Sequence, residues 1–564
     1  MLTQLANKLQ HSVLWRHLFF LLSTIFTILL IGYNFGTFDE AMHIPFLKAT
    51  ADPSLYPGDA MIALHRIYYS YFWYFFIPAL RSGILEPVLF AVHFISIYLT
   101  FWAFWNLSQT LFHNAITSLL ILVGFIVPHF GFSGFPVFEF APVSRTFVLP
   151  FLLFAIDQFF KGKIPLAFLI LGIMYNIHVV SVNFVLAMFG WACLMEFKRI
   201  GLRRILLSAA LFLIAALPVL LWKSNGGDPV DFTLRPEWVD FLNRTLFLHL
   251  FDMVKLDYPG SWAITFGGLA AVALFFIALP ATEDSNIKTT ARNFMVAGLI
   301  VLLVHVISVY FLSVTILIQS QILRMGMWII ILAYLFFANH IAKLIQAGTI
   351  HPDNVLLLVM VYILSPSPIL VLAAWLLSRQ AHSPRLVRAS IWVTPLIVVG
   401  TYLTIWSMGF WLPGIYVYGN STPWVDVQTW AQKNTDKTAR FITPPEKWGA
   451  HESDWRVHSE RASAGTLSEI LVAAFQPGYE LEWQSRFDVL APGAFERFNG
   501  DYFLNVQFTR DAYYSLSTAG ILNAACQMDA QYIVIEKPHN HPLKIAYENG
   551  AYVVYDVREK DCSQ

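Results

Sequence analysis

Residues 18–43 read LFFLLSTIFTILLIGYNFGTFDEAMH. From Leu18 to Ile31 there is no charge, and an apolar run of this kind has the character of a membrane span. Lys8 and Arg16 precede it, and no small-x-small cleavage site follows, so it reads as an uncleaved first membrane helix. A few residues past its end stand two adjacent carboxylates, Asp39 and Glu40, at the depth of lipid headgroups. The same apolar character extends through most of the 564 residues: 57% are hydrophobic, 13% are charged, and there are 49 Phe and 18 Trp. A soluble domain carries about 25% charged residues. The chain therefore reads as a polytopic α-helical membrane protein in contact with membrane lipids. A net charge of zero excludes nucleic acid as a partner, since phosphate backbones are bound by basic surfaces.

Apolar runs punctuated by charge, Gly or Pro place about 13 spans, at 18–32, 84–106, 114–130, 143–160, 164–180, 182–196, 205–222, 262–280, 293–315, 317–338, 354–365, 367–379 and 389–412. Ser365-Pro366-Ser367-Pro368 interrupts one pair, as a re-entrant hairpin or a kink. The aromatic stretch 66–80, between Arg66 and Arg81, suits a helix lying on the membrane surface, with a span as the alternative. With the N-terminus in the cytoplasm, the inside loops hold Lys161, Lys163, Lys198, Arg199, Arg203, Arg204, Lys288, Arg292, Lys343, Arg379, Arg385 and Arg388. The opposite segments, 33–83, 131–142 and 223–261, are rich in acids and aromatics. This is the positive-inside pattern of a cytoplasmic (inner) membrane protein, and it leaves everything after Leu412 outside.

Two domains follow: 1–412, transmembrane and including the first outside loop 33–83, and 413–564, soluble α/β. In the latter, Thr422-Pro423 reads as a helix cap and first turn. ARFIT (439–443), QYIVIE (531–536) and AYVVYDV (551–557) read as strands. TLSEILVAAF (466–475) and the stretch from Tyr513 to Met528 read as helices. Cys526 and Cys562 can pair if the compartment is oxidising.

The first outside loop, GTFDEAMHIPFLKATADPSLYPGDAMIALHR (36–66), holds the most informative constellation. His43 is one helical turn beyond Asp39, so the two can share a face. Asp52 and Asp59 follow among turn residues. The acids are embedded in apolar sequence (Phe38, Ala41, Met42, Ile44, Phe46), which favours a packed surface over a solvated acidic loop. A packed carboxylate beside a histidine has the raised proton affinity of a general base.

Three further polar residues stand in apolar context in the outer leaflet, two at the outer ends of spans and Arg324 one third of the way into one, where ionisable groups are costly. They are Arg145 in EFAPVSRTFVLP (139–150), His178 in MYNIHVVSVNF (174–184) and Arg324 in IQSQILRMGMWII (318–330). Either they line one cavity with Asp39, or each is structural, as in a pairing of Arg145 with Glu139. His305 reads as a packed helix-interface residue. Asp39, Glu40, His43 and Asp59 could supply ligands to a divalent cation, but no spacing is diagnostic and no metal site is assigned. The acidic loop 223–261 reads as a connecting loop with a short helix. The run Glu446, His451, Glu452, Asp454, Arg456, His458, Arg461 reads as a solvated loop, with acceptor binding as the alternative.

One span, an outside loop opening on Asp-Glu, further spans and an outside C-terminal domain together resemble the GT-C superfamily of membrane glycosyltransferases. FDEAMH (38–43) is similar to the Asp-Glu motifs of protein O-mannosyltransferases and aminoarabinose lipid A transferases. ADPSLYPGD (51–59) and the soluble tail look like those of bacterial GT-C-like membrane proteins. WAQKNTDKTARFITPP (430–445) resembles the opening of the outside domain of oligosaccharyltransferases. The tryptophan-aspartate signature of those enzymes is absent, which counts against that specific activity.

The resemblance implies a donor sugar on polyprenyl phosphate and a glycan, lipid or protein acceptor, with a divalent cation needed in some members. It implies Asp39 as the catalytic carboxylate, with Glu40 and His43 orienting it or binding substrate. Asp59, Arg145, His178 and Arg324 join them as candidate substrate-binding residues, the cations facing the leaving phosphate. The rival readings are a transporter or flippase of lipid-linked glycans, and a non-catalytic scaffold of the same fold.

Overall fold

A computed structural model describes residues 2–129, 132, 136–226, 231–245, 259–348, 351–379, 384–407, 411, 413–449, 452–560 and 562. Helix dominates, because an apolar segment in lipid must satisfy its own backbone groups. Among the described residues seven helices are long and apolar enough to cross a membrane: Val13–Ile31, Leu85–Phe112, Leu202–Asn225, Trp262–Ala281, Ser285–Leu312, Ile322–Ala347 and Arg385–Ser407. Shorter apolar helices lie at Ala115–Gly124, Ile164–Tyr175, Val179–Met195, Pro352–Leu364 and Pro368–Arg379.

The expected count of about 13 spans, several of them short, is not confirmed among the described residues, and the breaks between helices have local causes. The helix after Ile164 stops at Tyr175, and His178 caps the next one. The span expected at 317–338 is interrupted at Gln321, whose φ of 45° lies in the left-handed region. Pro366 and Pro368 separate Pro352–Leu364 from Pro368–Arg379. No continuous helix forms over 66–80. Turns at Leu64–Ile67 and Trp73–Phe76 and the short helix Ile77–Arg81 replace both the surface helix and the span expected there, and Phe72, Trp73 and Phe76 point into the core.

The C-terminal region carries a small sheet. Strands β1 (Tyr33–Asn34) and β2 (Ile415–Tyr416) pair in parallel. Five more, β3 (Arg440–Ile442), β4 (Ala462–Ser463), β5 (Tyr532–Glu536), β6 (Ile545–Glu548) and β7 (Tyr552–Asp556), form a sheet in the order β4-β3-β5-β7-β6. The period of two decides which helix covers which face. Val534 and Val554 pack with Trp424, Val427 and Ala431 of the helix Pro423–Asn434. Ile533, Ile535 and Val553 pack with Ile521, Ala524 and Ala525 of the helix Thr518–Gln527. The single helix expected from Tyr513 to Met528 is two, Tyr502–Tyr514 and Thr518–Gln527, divided where Ser517 caps the second. Cys526 and Cys562 are disulfide-bonded, with Cα atoms 5.5 Å apart.

The loop 33–83 and the C-terminal region form one packed unit. The Lys48 ammonium bridges Glu460 at 2.8 Å, the Arg440 guanidinium donates to the Gly58 carbonyl at 2.7 Å, and Tyr56 Oη donates to the Arg456 carbonyl at 2.9 Å. Beneath these bonds Met42, Phe46 and Met61 share a core with Trp448, Leu471 and Trp483. The loop and the C-terminal region therefore lie on one and the same side of any membrane, and an even number of crossings separates them.

The helix Pro236–Thr245 joins that core through Trp238, whose indole donates to the Ala473 carbonyl at 2.8 Å. The segment read as a connecting loop is thus docked where it is described. Asp228, Asp252 and Asp257 lie outside the described residues. The charged run 446–461 is likewise packed, not solvated: Glu446, Asp454, Arg456 and Arg461 are buried. His451 lies outside the described residues.

Candidate active site

The chain leaves the helix Val13–Ile31 through Gly32 and is clamped at once. Gly36 (φ 83°) and Phe38 (φ 48°) both take left-handed backbone, which costs nothing for glycine but strains phenylalanine. The clamp is long-range. The Phe38 N–H donates to the Gly449 carbonyl at 3.2 Å, and the Trp448 indole donates to the Phe38 carbonyl at 3.0 Å. The Phe38 ring stacks on Phe140 at 5.1 Å. The C-terminal region thus fixes the peptide that aims Asp39, which opens the helix Glu40–Ala51.

Asp39 Oδ2 lies 2.6 Å from Nη1 of Arg145, at the start of the helix Ser144–Phe160. Nε and Nη2 of the same guanidinium bond both oxygens of Glu139. Arg145 therefore pairs with Glu139, as the structural reading expects, and with Asp39 as well. The Asp39, Glu139 and Arg145 side chains keep 24%, 15% and 16% of their surface, enough for a ligand to reach them.

Burial alone would raise the proton affinity of Asp39. The charge of Arg145, then that of His43 where acid protonates it, and that of Arg324 outweigh burial and hold its carboxyl below the ordinary carboxylate range. The raised affinity expected of Asp39 is found one residue on. Glu40 is wholly buried and pushed up to about 8 by burial, against a hydrogen bond from the Gly36 N–H and with the Asp39 charge adding to the rise. Its Oε2 accepts that bond at 2.6 Å, and Oε1 has no partner.

His43 is pulled down to about 4 by burial, against the Asp39 charge, and is neutral at ordinary pH. It stacks on Trp73 (5.0 Å) and meets Tyr68 at a tilt (4.9 Å), and its Nδ1 has no partner. His178 caps Val179–Met195, with Nδ1 accepting from the Ser181 N–H at 3.1 Å. The backbone of the loop is bonded to this turn, Tyr71 N–H to the Asn176 carbonyl at 3.0 Å and Ser70 Oγ to the Ile177 carbonyl at 2.7 Å. His178 thereby comes within electrostatic range of Arg145, Arg324, His43 and Asp39. Arg324 sits in the turn Ile322–Met325 after left-handed Gln321, within range of Asp39, Glu139 and Tyr68. Irregular backbone at such a depth is tolerated where it lines a cavity.

Asp59 does not belong to this group. Its carboxylate is entirely buried, bonded to Arg456 Nε at 2.6 Å and to the Ser463 N–H at 3.0 Å. It ties the loop to the C-terminal region and has no surface to offer a substrate. Among the described residues no group of three or more His, Cys, Asp or Glu is arranged to hold a metal ion. Two neighbours escaped notice in the sequence. Tyr68, which hydrogen-bonds Ser144, was hidden in an aromatic run, and Glu139 was weighed only as a structural partner of Arg145.

The Glu40 environment has a measurable consequence. Its proton affinity is higher folded (about 8) than at the ordinary carboxyl value of 4.5, so the folded chain binds the extra proton between those limits. Stability then falls as pH rises through that window and levels off above it. Glu40→Gln is expected to abolish this part of the slope. Its gain over wild type should reach on the order of 4 kcal/mol above about pH 8. Thermal unfolding in detergent at stepped pH measures it. Glu446, raised to about 7 by burial, slopes the same way in both proteins and cancels in the comparison.

No family model and no curated protein matches the chain. Nine chains of solved structures do. One is the crystal structure of the Archaeoglobus fulgidus oligosaccharyltransferase in complex with Zn and sulfate, at 11% identity, 92% coverage of this chain, 68% coverage of that one and a TM-score of 0.40.

Proposed function

We propose that the chain is a GT-C-type glycosyltransferase that moves a sugar from a polyprenyl-phosphate-linked donor to a glycan, lipid or protein acceptor. The observation that carries this reading is the Asp39–Arg145 pair, set just past the end of an apolar helix and still partly open. A donor with its tail among apolar helices presents its phosphate at that depth, and its anomeric carbon just beyond. Asp39 takes the acceptor's hydroxyl proton as that oxygen attacks the anomeric carbon. Arg145 and Arg324 meet the charge developing on the leaving phosphate. His43, neutral and packed against the rings of Trp73 and Tyr68, shapes the sugar's side of the site.

In this reading residues 1–412 form the membrane part and 413–564 an α/β domain outside a cytoplasmic membrane, with the N-terminus inside. The basic short loops support that orientation. A divalent cation is compatible with the chemistry and is given no ligands.

The test is transfer in proteoliposomes supplied with a mixed pool of radiolabelled polyprenyl-phosphate sugars and a membrane extract as acceptor. Label is expected in a larger product with wild-type protein and not with water-soluble nucleotide sugars. Label crossing the bilayer without change of carrier would instead identify a flippase.

A further inference from the structure

We propose that the Asp39–Arg145 ion pair is a latch opened by the donor's phosphate, and that Glu139 is the positioning residue that holds Arg145 while it changes partner. This rests on the glycosyltransferase reading above.

The geometry sets a conflict and supplies its resolution. Asp39 Oδ2 is engaged at 2.6 Å by Arg145 Nη1, and an oxygen so engaged is a poor acceptor for an incoming proton. The pair must break for Asp39 to act as a base. An arginine left without a counter-charge in a half-buried site is costly, so the pair cannot simply dissolve. Glu139 removes the difficulty, because it binds the other edge of the guanidinium, through Nε and Nη2. That edge fixes the plane and direction of Arg145, and Nη1 alone has to exchange.

A phosphodiester oxygen matches a carboxylate oxygen in charge and in fit to a guanidinium fork. It can replace Asp39 at Nη1 without lowering the number of ion pairs on Arg145. Asp39 is then surrounded by groups that no longer oppose its protonation: Glu40, protonated up to about 8, neutral His43, His178 and the phenol of Tyr68, with Arg324 shared with the phosphate. The step balances. The acceptor O–H bond breaks and its proton goes to Asp39. The acceptor oxygen bonds the anomeric carbon, and the carbon–phosphate oxygen bond breaks with its electron pair leaving on the lipid phosphate, beside Nη1. Base and donor are thereby coupled, so an empty site holds no active base to promote hydrolysis.

The test uses the full-length protein in detergent and a prenyl methyl phosphate, a phosphodiester whose single charge does not titrate near neutral pH. Because binding raises the proton affinity of Asp39, it takes up a proton. Wild-type affinity is expected to rise as pH falls from about 7 towards 4, by at most about ten-fold per unit. Asp39→Asn is expected to bind about ten-fold more tightly at pH 7, although inactive, and with that pH dependence gone. Glu139→Gln is expected to keep affinity and pH dependence while kcat for transfer falls.

Binding by wild type that is flat with pH and no tighter in Asp39→Asn overturns the latch and leaves the glycosyltransferase reading standing. Unchanged kcat in Glu139→Gln removes its positioning role. No binding at any pH, together with no transfer, overturns the reading and the latch with it.

Discussion

Asp39→Asn is expected to lower sugar transfer by a factor of about 100 to 10,000, the range of a lost general base. The substitution is nearly isosteric and removes only the charge. Arg145 keeps both oxygens of Glu139, so no cation is stranded. Asp39 precedes the helix Glu40–Ala51 without a side-chain capping bond, so no cap is lost either. The unfolding temperature should therefore stay close to wild type, and the loss should appear in kcat. Transfer is measured in proteoliposomes with a single polyprenyl-phosphate sugar once one has been found to serve. Equal turnover by the two proteins would take Asp39 out of the mechanism. A variant that fails to fold would contradict the packing described here.

Asp39 was legible because it depends on order along the chain: an apolar run ends and an acid follows within a few residues. Arg145, His178 and Arg324 were legible for a related reason, as polar groups standing in apolar segments. Their convergence is only one of two readings at that level, since it depends on which helix ends meet. Helix breaks were the main misreading. Hydropathy does not register that Gln321 turns left-handed or that His178 caps a new helix, so the turn Ile322–Met325 that carries Arg324 reads from sequence as continuous helix.

The sharpest failure concerns Asp59, whose partner Arg456 is 397 positions away. No periodicity reports a contact of that separation. An acid in a Pro-Gly turn looks free to bind a ligand until the surface that covers it is known. The same distance hid the role of Trp448 and Gly449, which hold strained Phe38. In the C-terminal region the local signals sufficed where one element covered its own pattern, as with Thr422 capping Pro423–Asn434.

Arg456→Met is expected to be the most damaging single substitution to the fold, at about 3–5 kcal/mol. Arg456 is completely buried, and so are its three carboxylate partners. Nε holds Asp59 at 2.6 Å, Nη2 holds Glu469 at 2.6 Å, and Nη1 reaches Asp454 at 3.4 Å and Thr466 at 2.9 Å. Arg486 also bonds Glu469, at 2.7 Å, so that acid keeps a cation after the change. Asp59 and Asp454 would be left as buried anions without an arginine. Methionine fills much of the volume and isolates the electrostatic cost from a cavity. A loss of this size is a large share of a typical stability of about 5–15 kcal/mol. Asp59 is a loop residue and Arg456 is not, so the damage should separate the two. Proteolysis within 52–64 should quicken, and transfer should fall because Phe38 and Asp39 lose their support. Adding Asp59→Asn should recover part of the loss, since it neutralises one stranded anion, and the double-mutant cycle measures the coupling. Lys437→Met, which breaks an exposed pair with Asp52, is the contrast and should cost under about 1 kcal/mol. If Arg456→Met costs no more than Lys437→Met, the buried network does not hold the loop, and the alignment of Asp39 must come from Phe38 and Trp448 alone.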